Sequence, residues 1–180
     1  MDDSITLESV IAFLLETELF RDLEPIELGD VVKIMQIQTF ADKQELFCEG
    51  DQGDAWFVIF GGEAEVSKST AFGPPRLLVT LGAHACFGEM AVLDGSARSA
   101  TVTAVGEVTV FRFPKDAFDE LLGGGNLAVY KLILAMARVL CERQRSITAQ
   151  FSDLMGDESL ERRAIENQLG LLLDKYHVSE

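Results

Sequence analysis

The sequence is poor in four features, and each shortage excludes a class of protein. Its 180 residues contain no run of about 18 apolar residues, so they predict no membrane-spanning helix. Three widely spaced cysteines, Cys48, Cys86 and Cys141, argue for a reducing compartment and against a disulfide scaffold. Two distant histidines, His84 and His177, are too few for a metal site of the cupin type, so no metal ligands are predicted. The 15 basic residues face 30 acidic ones, and the net charge of -15 opposes binding to nucleic acid or anionic lipid.

The remaining composition is that of an ordinary globular protein. It is 48% hydrophobic and 25% charged, which provides enough apolar residues for a core and argues against disorder. The length indicates one domain with helical extensions. The opening Met1-Asp2-Asp3 lacks the positive start of a secretory signal. We therefore expect a cytoplasmic protein with no membrane association.

The chain divides into three zones. Residues 1–34 have helical spacing of apolar residues, and Pro25 suits the first position of a second short helix. Residues 35–113 hold short β-rich runs between glycine, proline and aspartate clusters, which is typical of a small β-barrel or sandwich. The runs are Met35–Phe40, Ala55–Phe60, Glu63–Ser67, Leu77–Leu81, Ala100–Val105 and Val108–Phe113. Residues 114–180 return to helix.

A long helix is predicted over residues 126–155. Apolar residues recur in it every seven positions, at Ile133, Leu140, Ile147 and Leu154. A second seam is formed by Ala137, Gln144 and Phe151. Two such seams favour a two-stranded coiled coil, so we expect a homodimer through this helix; the alternative is a helix that lies on its own barrel. A final amphipathic helix is predicted over Glu158–Tyr176.

The stretch FGEMAVLDGSARSATV, residues 87–102, carries the chemistry of a ligand site. Gly88 allows the backbone to approach a ligand closely, and the free N–H groups that begin the helical turn Glu89–Leu93 favour an anion. Arg98 offers a planar fork of donors that suits a phosphate, while the Glu89 carboxylate suits a sugar hydroxyl. The alternative is that Glu89 and Arg98 merely pair with each other on a surface loop.

The order of these residues resembles the phosphate-binding cassette of cyclic nucleotide-binding domains. That pattern runs Phe-Gly-Glu, an aliphatic residue, Ala, two aliphatic residues, a short turn, Pro-Arg, a small residue, Ala, Ser or Thr, then Val. A second stretch, GDQGDAWFVIFGGEAEV (residues 50–66), is similar to the family's Gly-Asp turn, buried strand and Gly-Glu-x-x-Val strand. The family includes the nucleotide-binding domains of catabolite activator protein and of cAMP-dependent protein kinase regulatory subunits.

The resemblance covers about residues 20–155 and implies a fold. That fold is mainly β with α: a β-roll or jelly-roll-like barrel of about eight strands, flanked by N-terminal helices and C-terminal helices. We expect an N-terminal helical extension over residues 1–19, the cyclic nucleotide-binding domain with its long helix over residues 20–155, and an additional helix and tail over residues 156–180.

The resemblance also implies a role for individual residues. Glu89 would accept the ribose 2′-hydroxyl, and Arg98 would bind the cyclic phosphate. The backbone N–H groups of Ala91 and Ser99 would add donors, and Gly88 would permit close approach to the ribose. The wider set of implied ligand contacts comprises the cassette residue Met90, Val79 and Leu81 on the strand that covers the base, and Arg143 and Gln144 on the long helix.

Two departures and one hydroxyl bear on the ligand. Ala97 replaces the family's proline, which loosens the turn before Arg98, and His84-Ala85 stands where the family usually has Gly-Asp. A serine such as Ser99 after the cassette arginine occurs in bacterial cAMP receptors of the family, whereas a threonine there is associated with cGMP preference in its kinases. We therefore expect cAMP or cGMP as the ligand, with cAMP favoured.

No pattern in the sequence is typical of an enzyme, because neither a Gly-x-Ser-x-Gly elbow nor a P-loop occurs. The resemblance implies a non-catalytic cyclic-nucleotide receptor, without a cofactor, that signals to an unknown protein effector through its C-terminal helices. Alternatives are an interaction scaffold with a vestigial cassette, a fragment of a catabolite-activator-type transcription factor, and a receptor for another nucleotide such as cyclic di-GMP. DNA is not an expected partner, because residues 151–180 carry seven acidic against three basic side chains.

Overall fold

The computed structural model describes residues 6–149 and residue 152. Its first helix, α1 (Leu7–Glu16), begins with a reciprocal capping box. The Thr6 side chain accepts from the Ser9 N–H at 3.2 Å, and the Ser9 hydroxyl oxygen accepts from the Thr6 N–H at 3.0 Å. A single 3-10 turn (Glu18–Phe20) leads to helix α2 (Pro25–Ile34), which begins at Pro25 as the sequence predicts.

One antiparallel sheet of six strands forms the centre of the described residues. Its strands are β1 (Gln36–Phe40), β2 (Glu45–Phe47), β3 (Ala55–Lys68), β4 (Arg76–Leu81), β5 (Cys86–Phe87) and β6 (Thr101–Pro114). The main path runs β1–β6–β3–β4, while β2 pairs with β6 and β5 pairs with β3. The predicted fold class, a jelly-roll-type β fold with flanking helices, is confirmed, although these pairings do not close the sheet into a barrel.

The six β-rich runs of the sequence correspond to four strands because two strands are long, and the short strands β2 and β5 are not among those runs. β3 and β6 each run for 14 residues, and each unites two runs that the sequence analysis kept separate. Gly62 and Gly106, which divide those runs, adopt φ values of +87° and +68°. Register shifts interrupt the β3–β6 ladder around Gly61. The glycines therefore bend the paired strands without ending them.

Alternate residues of β3 enter two different cores, because successive side chains of a strand point to opposite faces. Trp56 and Val58 belong to the core that the helices cover. Ala55, Phe57 and Ile59 belong to a second core within the sheet. Trp56 stacks on Phe113, with ring centroids 4.0 Å apart, at the centre of the first core.

The remaining helices are α3 (Glu89–Asp94), α4 (Lys115–Gly123) and the long helix α5 (Leu127–Ala149). By compactness the chain divides into two units, Met1–Ala137 and Arg138–Glu180. The predicted helix Glu158–Tyr176 and the end of the predicted coiled coil lie outside the described residues. Within residues 6–149, no single helix is long and apolar enough to cross a membrane, although α4 and α5 together have the required length and composition. The expected domain bounds stay predictions.

Candidate functional site

The cassette predicted from the sequence is built around two left-handed glycines. Strand β5 ends at Phe87, and Gly88 then caps helix α3 with φ +75°. Gly95 ends the same helix with φ +72°. An added Cβ at Gly88 would lie 2.7 Å from Nη1 of Arg98, whereas one at Gly95 would meet nothing within 4 Å. Only Gly88 therefore combines an unusual backbone conformation with close approach to the site.

Arg98 is buried and held from two sides. Its side chain is 1% exposed. Nη1 donates to the Gly88 carbonyl oxygen at 2.9 Å, and Nη2 donates to Oδ1 of Asp54 at 3.1 Å. The guanidinium carbon lies 4.1 Å from the centroid of the Phe47 ring, at the distance of a cation–π contact. The orientation of Arg98 is thus fixed by a backbone oxygen, a carboxylate and an aromatic face.

Two further properties of Arg98 follow from its burial. Its Nε atom is buried and has no hydrogen-bond partner among the described residues. Burial lowers the pKa of Arg98, the nearby Asp54 carboxylate opposes this shift, and the charge of Arg112 adds to it. A buried donor without an acceptor is costly, and an anion placed against Nε removes that cost.

Asp54 joins two arginines. Its Oδ1 accepts from Arg98, and its Oδ2 accepts from Nη2 of Arg112 at 2.7 Å. The second pair is the shorter one, and the Asp54 side chain is 67% exposed. The sequence alone indicates no role for Asp54 or Arg112. The one available signal was the position of Asp54 in the turn ahead of β3, but its pairing with a residue 44 positions later requires the fold.

The far end of the cassette is fastened by the loop after β2. The Gly50 N–H donates to the Arg98 carbonyl at 2.9 Å, and the Arg98 N–H donates to the Asp51 carbonyl at 2.8 Å. A backbone bridge between Gln52 and Ala97 lies beside these bonds. Pairing with this loop therefore holds the turn in which Ala97 replaces the family's proline.

Lys68, also missed from sequence, ties the cassette to the end of β3. Its Nζ donates to the Ser99 carbonyl at 2.6 Å and lies 2.9 Å from Oε1 of Glu49. Hydrogen bonds from the Ser69 backbone N–H and from Lys68 lower the pKa of Glu49 to about 2. Glu49 is therefore ionised at neutral pH, and Lys68 is held between it and the cassette.

Most of the other residues that the sequence predicts as ligand contacts lie in the cassette. Glu89 and Ala91 are buried at 3% and 4% exposure, and Arg98 is buried as well, so Glu89 and Arg98 do not lie on an exposed surface loop. Met90 is exposed, and its sulfur lies 4.0 Å from the Ser99 hydroxyl. The remaining predicted contacts lie elsewhere: Val79 and Leu81 on strand β4, and Arg143 and Gln144, both exposed, on the part of α5 that belongs to the second compact unit.

The turn ahead of β5 differs from the family's Gly-Asp, as the sequence suggests. His84 occupies the left-handed region at φ +67°, and its N–H donates to the Ile59 carbonyl at 2.9 Å. Its ring stacks on Phe13 of α1 at 4.0 Å between centroids. Nδ1 lies 2.8 Å from Oγ1 of the buried Thr17, and the same Oγ1 lies 3.0 Å from the Phe13 carbonyl oxygen. The turn is thereby attached to the N-terminal helix.

The arrangement can hold a small anion with a sugar, but it offers no assembled metal site. Across residues 6–149, no group of three or more histidine, cysteine, aspartate or glutamate side chains could hold a metal ion. A six-stranded antiparallel sheet with a cassette that presents one buried arginine defines the class of β-roll phosphate-cassette domains.

Comparison with known proteins agrees with this class. Residues 37–124 match the family described as "Cyclic nucleotide-binding domain". The chain is 32% identical over 112 residues to a cAMP-dependent protein kinase regulatory subunit from Aspergillus niger. The matched region covers 62% of this chain and 26% of that protein. The predicted resemblance is confirmed: residues 37–124 match the model of the cyclic nucleotide-binding domain family. The chain spans 26% to 29% of the length of the curated kinase regulatory subunits it matches.

Two solved structures show the same fold. A cyclic nucleotide-binding domain from Methylobacillus flagellatus superposes with a TM-score of 0.69 at 27% identity, covering 77% of this chain and 78% of that one. The regulatory domain of Toxoplasma gondii PKA, crystallised with cAMP, superposes with a TM-score of 0.61 at 26% identity, covering 71% of this chain and 48% of that one.

Proposed function

We propose that this chain is a non-catalytic receptor for a cyclic nucleotide, with cAMP favoured over cGMP, that signals to a protein effector through its C-terminal helices. The observation that carries the proposal is Arg98: a buried guanidinium with fixed Nη atoms and an unpaired Nε in the cassette. A cyclic phosphate is a compact monoanion that supplies the acceptor which Nε lacks.

The proposal assigns the ligand's parts to particular residues. The phosphate binds Arg98 and the backbone N–H groups of Ala91 and Ser99, and the ribose 2′-hydroxyl donates to Glu89. The burial of Glu89 and Ala91 supports these roles, because polar contacts with a ligand are stronger when water is excluded. Met90 and Gly88 lie beside the same ligand, and the base lies against Val79 and Leu81 of strand β4.

The preference for cAMP rests on two supports. Residue 99 is a serine, and several relatives, including the regulatory subunit from Aspergillus niger, are described as cAMP-dependent. The binding test is a calorimetric titration of protein that has been unfolded, dialysed and refolded to strip bound ligand, with cAMP, cGMP and cyclic di-GMP in separate runs. Tightest binding of cAMP is expected. Tighter binding of either competitor replaces the ligand assignment, and absent heat from all three favours an interaction scaffold with a vestigial cassette.

The variant Arg98→Lys tests the role of Arg98 directly, because it keeps the positive charge and removes the planar fork of hydrogen-bond donors. A loss of about 1.5–3 kcal/mol in binding free energy is expected, the scale of a hydrogen bond to a charged group. Arg76→Lys on strand β4 is the matched control, since Arg76 is exposed at the surface. Equal affinity for the Arg98 and Arg76 variants would contradict the pocket assignment.

Signalling is proposed to proceed through a homodimer formed by residues 126–155. Within the first compact unit, α5 buries Ala128, Val129, Leu132 and Met136 in the core. The same part of α5 exposes apolar side chains at a spacing of three and four: Leu127, Tyr130 and Leu134. Ile133, which the sequence places on the dimer seam, is partly buried against the core instead.

Sedimentation velocity tests the dimer. Leu134→Lys is expected to shift the protein to monomer, because it places a charge in the exposed apolar stripe. Ile26→Lys is the control, since Ile26 is 83% exposed on α2 and outside the stripe. Identical sedimentation of both variants and the parent would contradict the proposed interface. A cytoplasmic location and the absence of DNA binding complete the proposal.

A further inference from the structure

Arg112 lies outside the cassette, yet it completes a row of three charges that ends at the phosphate site. Asp54 bridges Arg98 and Arg112, with N–O distances of 3.1 and 2.7 Å. We propose that Arg112 is a positioning residue for nucleotide binding: it neutralises Asp54, so that Asp54 can orient Arg98 without cancelling the attraction of Arg98 for the ligand's phosphate. This inference rests on the proposed function.

The need for a third charge follows from the other two. Asp54 fixes Nη2 of Arg98, but its negative charge also repels an approaching anion. Arg98 and Asp54 alone sum to zero, in a chain whose net charge is -15. Water screens this repulsion only in part, because the Asp54 side chain is 67% exposed while the Arg98 side chain, against which the ligand binds, is 1% exposed. Arg112 raises the sum of the row to one positive charge.

The backbone explains why Arg112 acts through Asp54 and not on the ligand itself. It lies on β6 opposite Gln36 of β1 and Phe57 of β3. Its Nη1 donates to Oε1 of Gln36 at 3.0 Å while its Nη2 donates to Asp54. The side chain is 17% exposed and held at both nitrogens. It is therefore a fixed charge behind the carboxylate.

The experiment measures cAMP and cGMP affinity of stripped protein for the parent, Arg112→Gln and Arg112→Lys. A unit charge on the order of 10 Å from the phosphate, at an effective dielectric of about 20–40, changes affinity by about five- to fifteenfold. We expect that loss in Arg112→Gln and affinity within about twofold of the parent in Arg112→Lys. The deficit of the glutamine variant should shrink as ionic strength rises to about 1 M, where the Debye length is about 3 Å. Arg21→Gln removes the same formal charge from an exposed position among the N-terminal helices and should change nothing.

A fourth variant separates charge from geometry. Asp54→Asn with Arg112→Gln retains an acceptor for Arg98 and the row's single positive charge, so it should bind more tightly than Arg112→Gln alone. If Arg112→Gln does not fold, the double variant is compared with the parent instead. Its affinity should lie within about fivefold of the parent's, because the row keeps its single positive charge.

Three results would overturn the inference: a lysine variant as weak as the glutamine variant, a deficit that does not respond to salt, or a double variant weaker than Arg112→Gln or more than about tenfold below the parent. Failure of the parent itself to bind any cyclic nucleotide would instead refute the proposed function. The two failures are therefore distinguishable in one set of titrations.

Discussion

Gly88 and Gly95 offer a matched pair of substitutions within one short helix. Both adopt a left-handed conformation at the ends of α3, with φ +75° and +72°. An alanine in that region costs roughly 1–2 kcal/mol, of which about 0.4–1 kcal/mol is recovered because alanine also restricts the unfolded chain. Gly95→Ala should therefore destabilise the protein by about 1 kcal/mol, because its new Cβ meets nothing within 4 Å.

Gly88→Ala carries the same backbone strain and a collision. Its Cβ would lie 2.7 Å from Nη1 of Arg98, which donates to the Gly88 carbonyl. Displacing the guanidinium sacrifices a hydrogen bond to a charged group, about 1.5–3 kcal/mol, in addition to the strain. The expected total is about 2–4 kcal/mol of stability, measured by denaturant unfolding, together with at least about tenfold weaker nucleotide binding.

Comparing the two variants tests whether the close approach of Gly88 to Arg98 matters for binding and stability. Gly95→Ala should bind cyclic nucleotide about as tightly as the parent, since strain alone does not move Arg98. If both alanine variants bind equally well and are equally stable, the close approach of Gly88 to Arg98 has no consequence and the reasoning fails. If both lose binding equally, the helix as a whole and not the collision at Gly88 controls the site.

Two further predictions concern the cassette's supports. Gly53→Ala should cost about 1–3 kcal/mol of stability, because its Cβ would lie 2.3 Å from the Cβ of Ala91, whereas Gly82→Ala, with nothing within 4 Å, should cost less than 1 kcal/mol by the same unfolding assay. The pKa of Glu49 is lowered from 4.5 to about 2 by the Ser69 backbone N–H and by Lys68, so the stabilisation from these contacts is present above about pH 4.5 and lost as the pH falls towards 2. Acid titration of Glu49→Gln should remove that part of the pH dependence; an unchanged profile would contradict the assignment.

The sequence was sufficient for the parts of the site that are contiguous. The order Phe-Gly-Glu to Arg-Ser-Ala predicted a glycine where the backbone approaches the site closely, followed by a short helical turn, and the structure has both. It was insufficient for Asp54, Lys68 and Arg112, since their partners lie 44, 31 and 58 positions away and are brought together only by the pairing of β3 with β6.

The predicted strand boundaries at Gly62 and Gly106 were wrong for a different physical reason. Gly62 and Gly106 read as turn residues in sequence, because glycine is the usual residue where φ is positive. In the structure they do take positive φ, yet hydrogen bonding continues on both sides of each glycine. Local chemistry can identify such a bend, but only the opposite strand decides whether the ladder resumes. The four runs that these glycines divide therefore form two strands, β3 and β6.

The attachment of His84 to Phe13 and Thr17 makes the N-terminal helix a participant in the energetics of the site. The turn that holds His84 is followed two residues later by β5, which leads directly into Gly88. Coupling between two sites is reciprocal. If a bound nucleotide favours one position of this turn, the docking of α1 that favours the same position strengthens nucleotide binding by the same free energy. A substitution in α1 that alters its contact with this turn is therefore expected to change nucleotide affinity. Nucleotide binding is expected, in turn, to change how firmly α1 is docked.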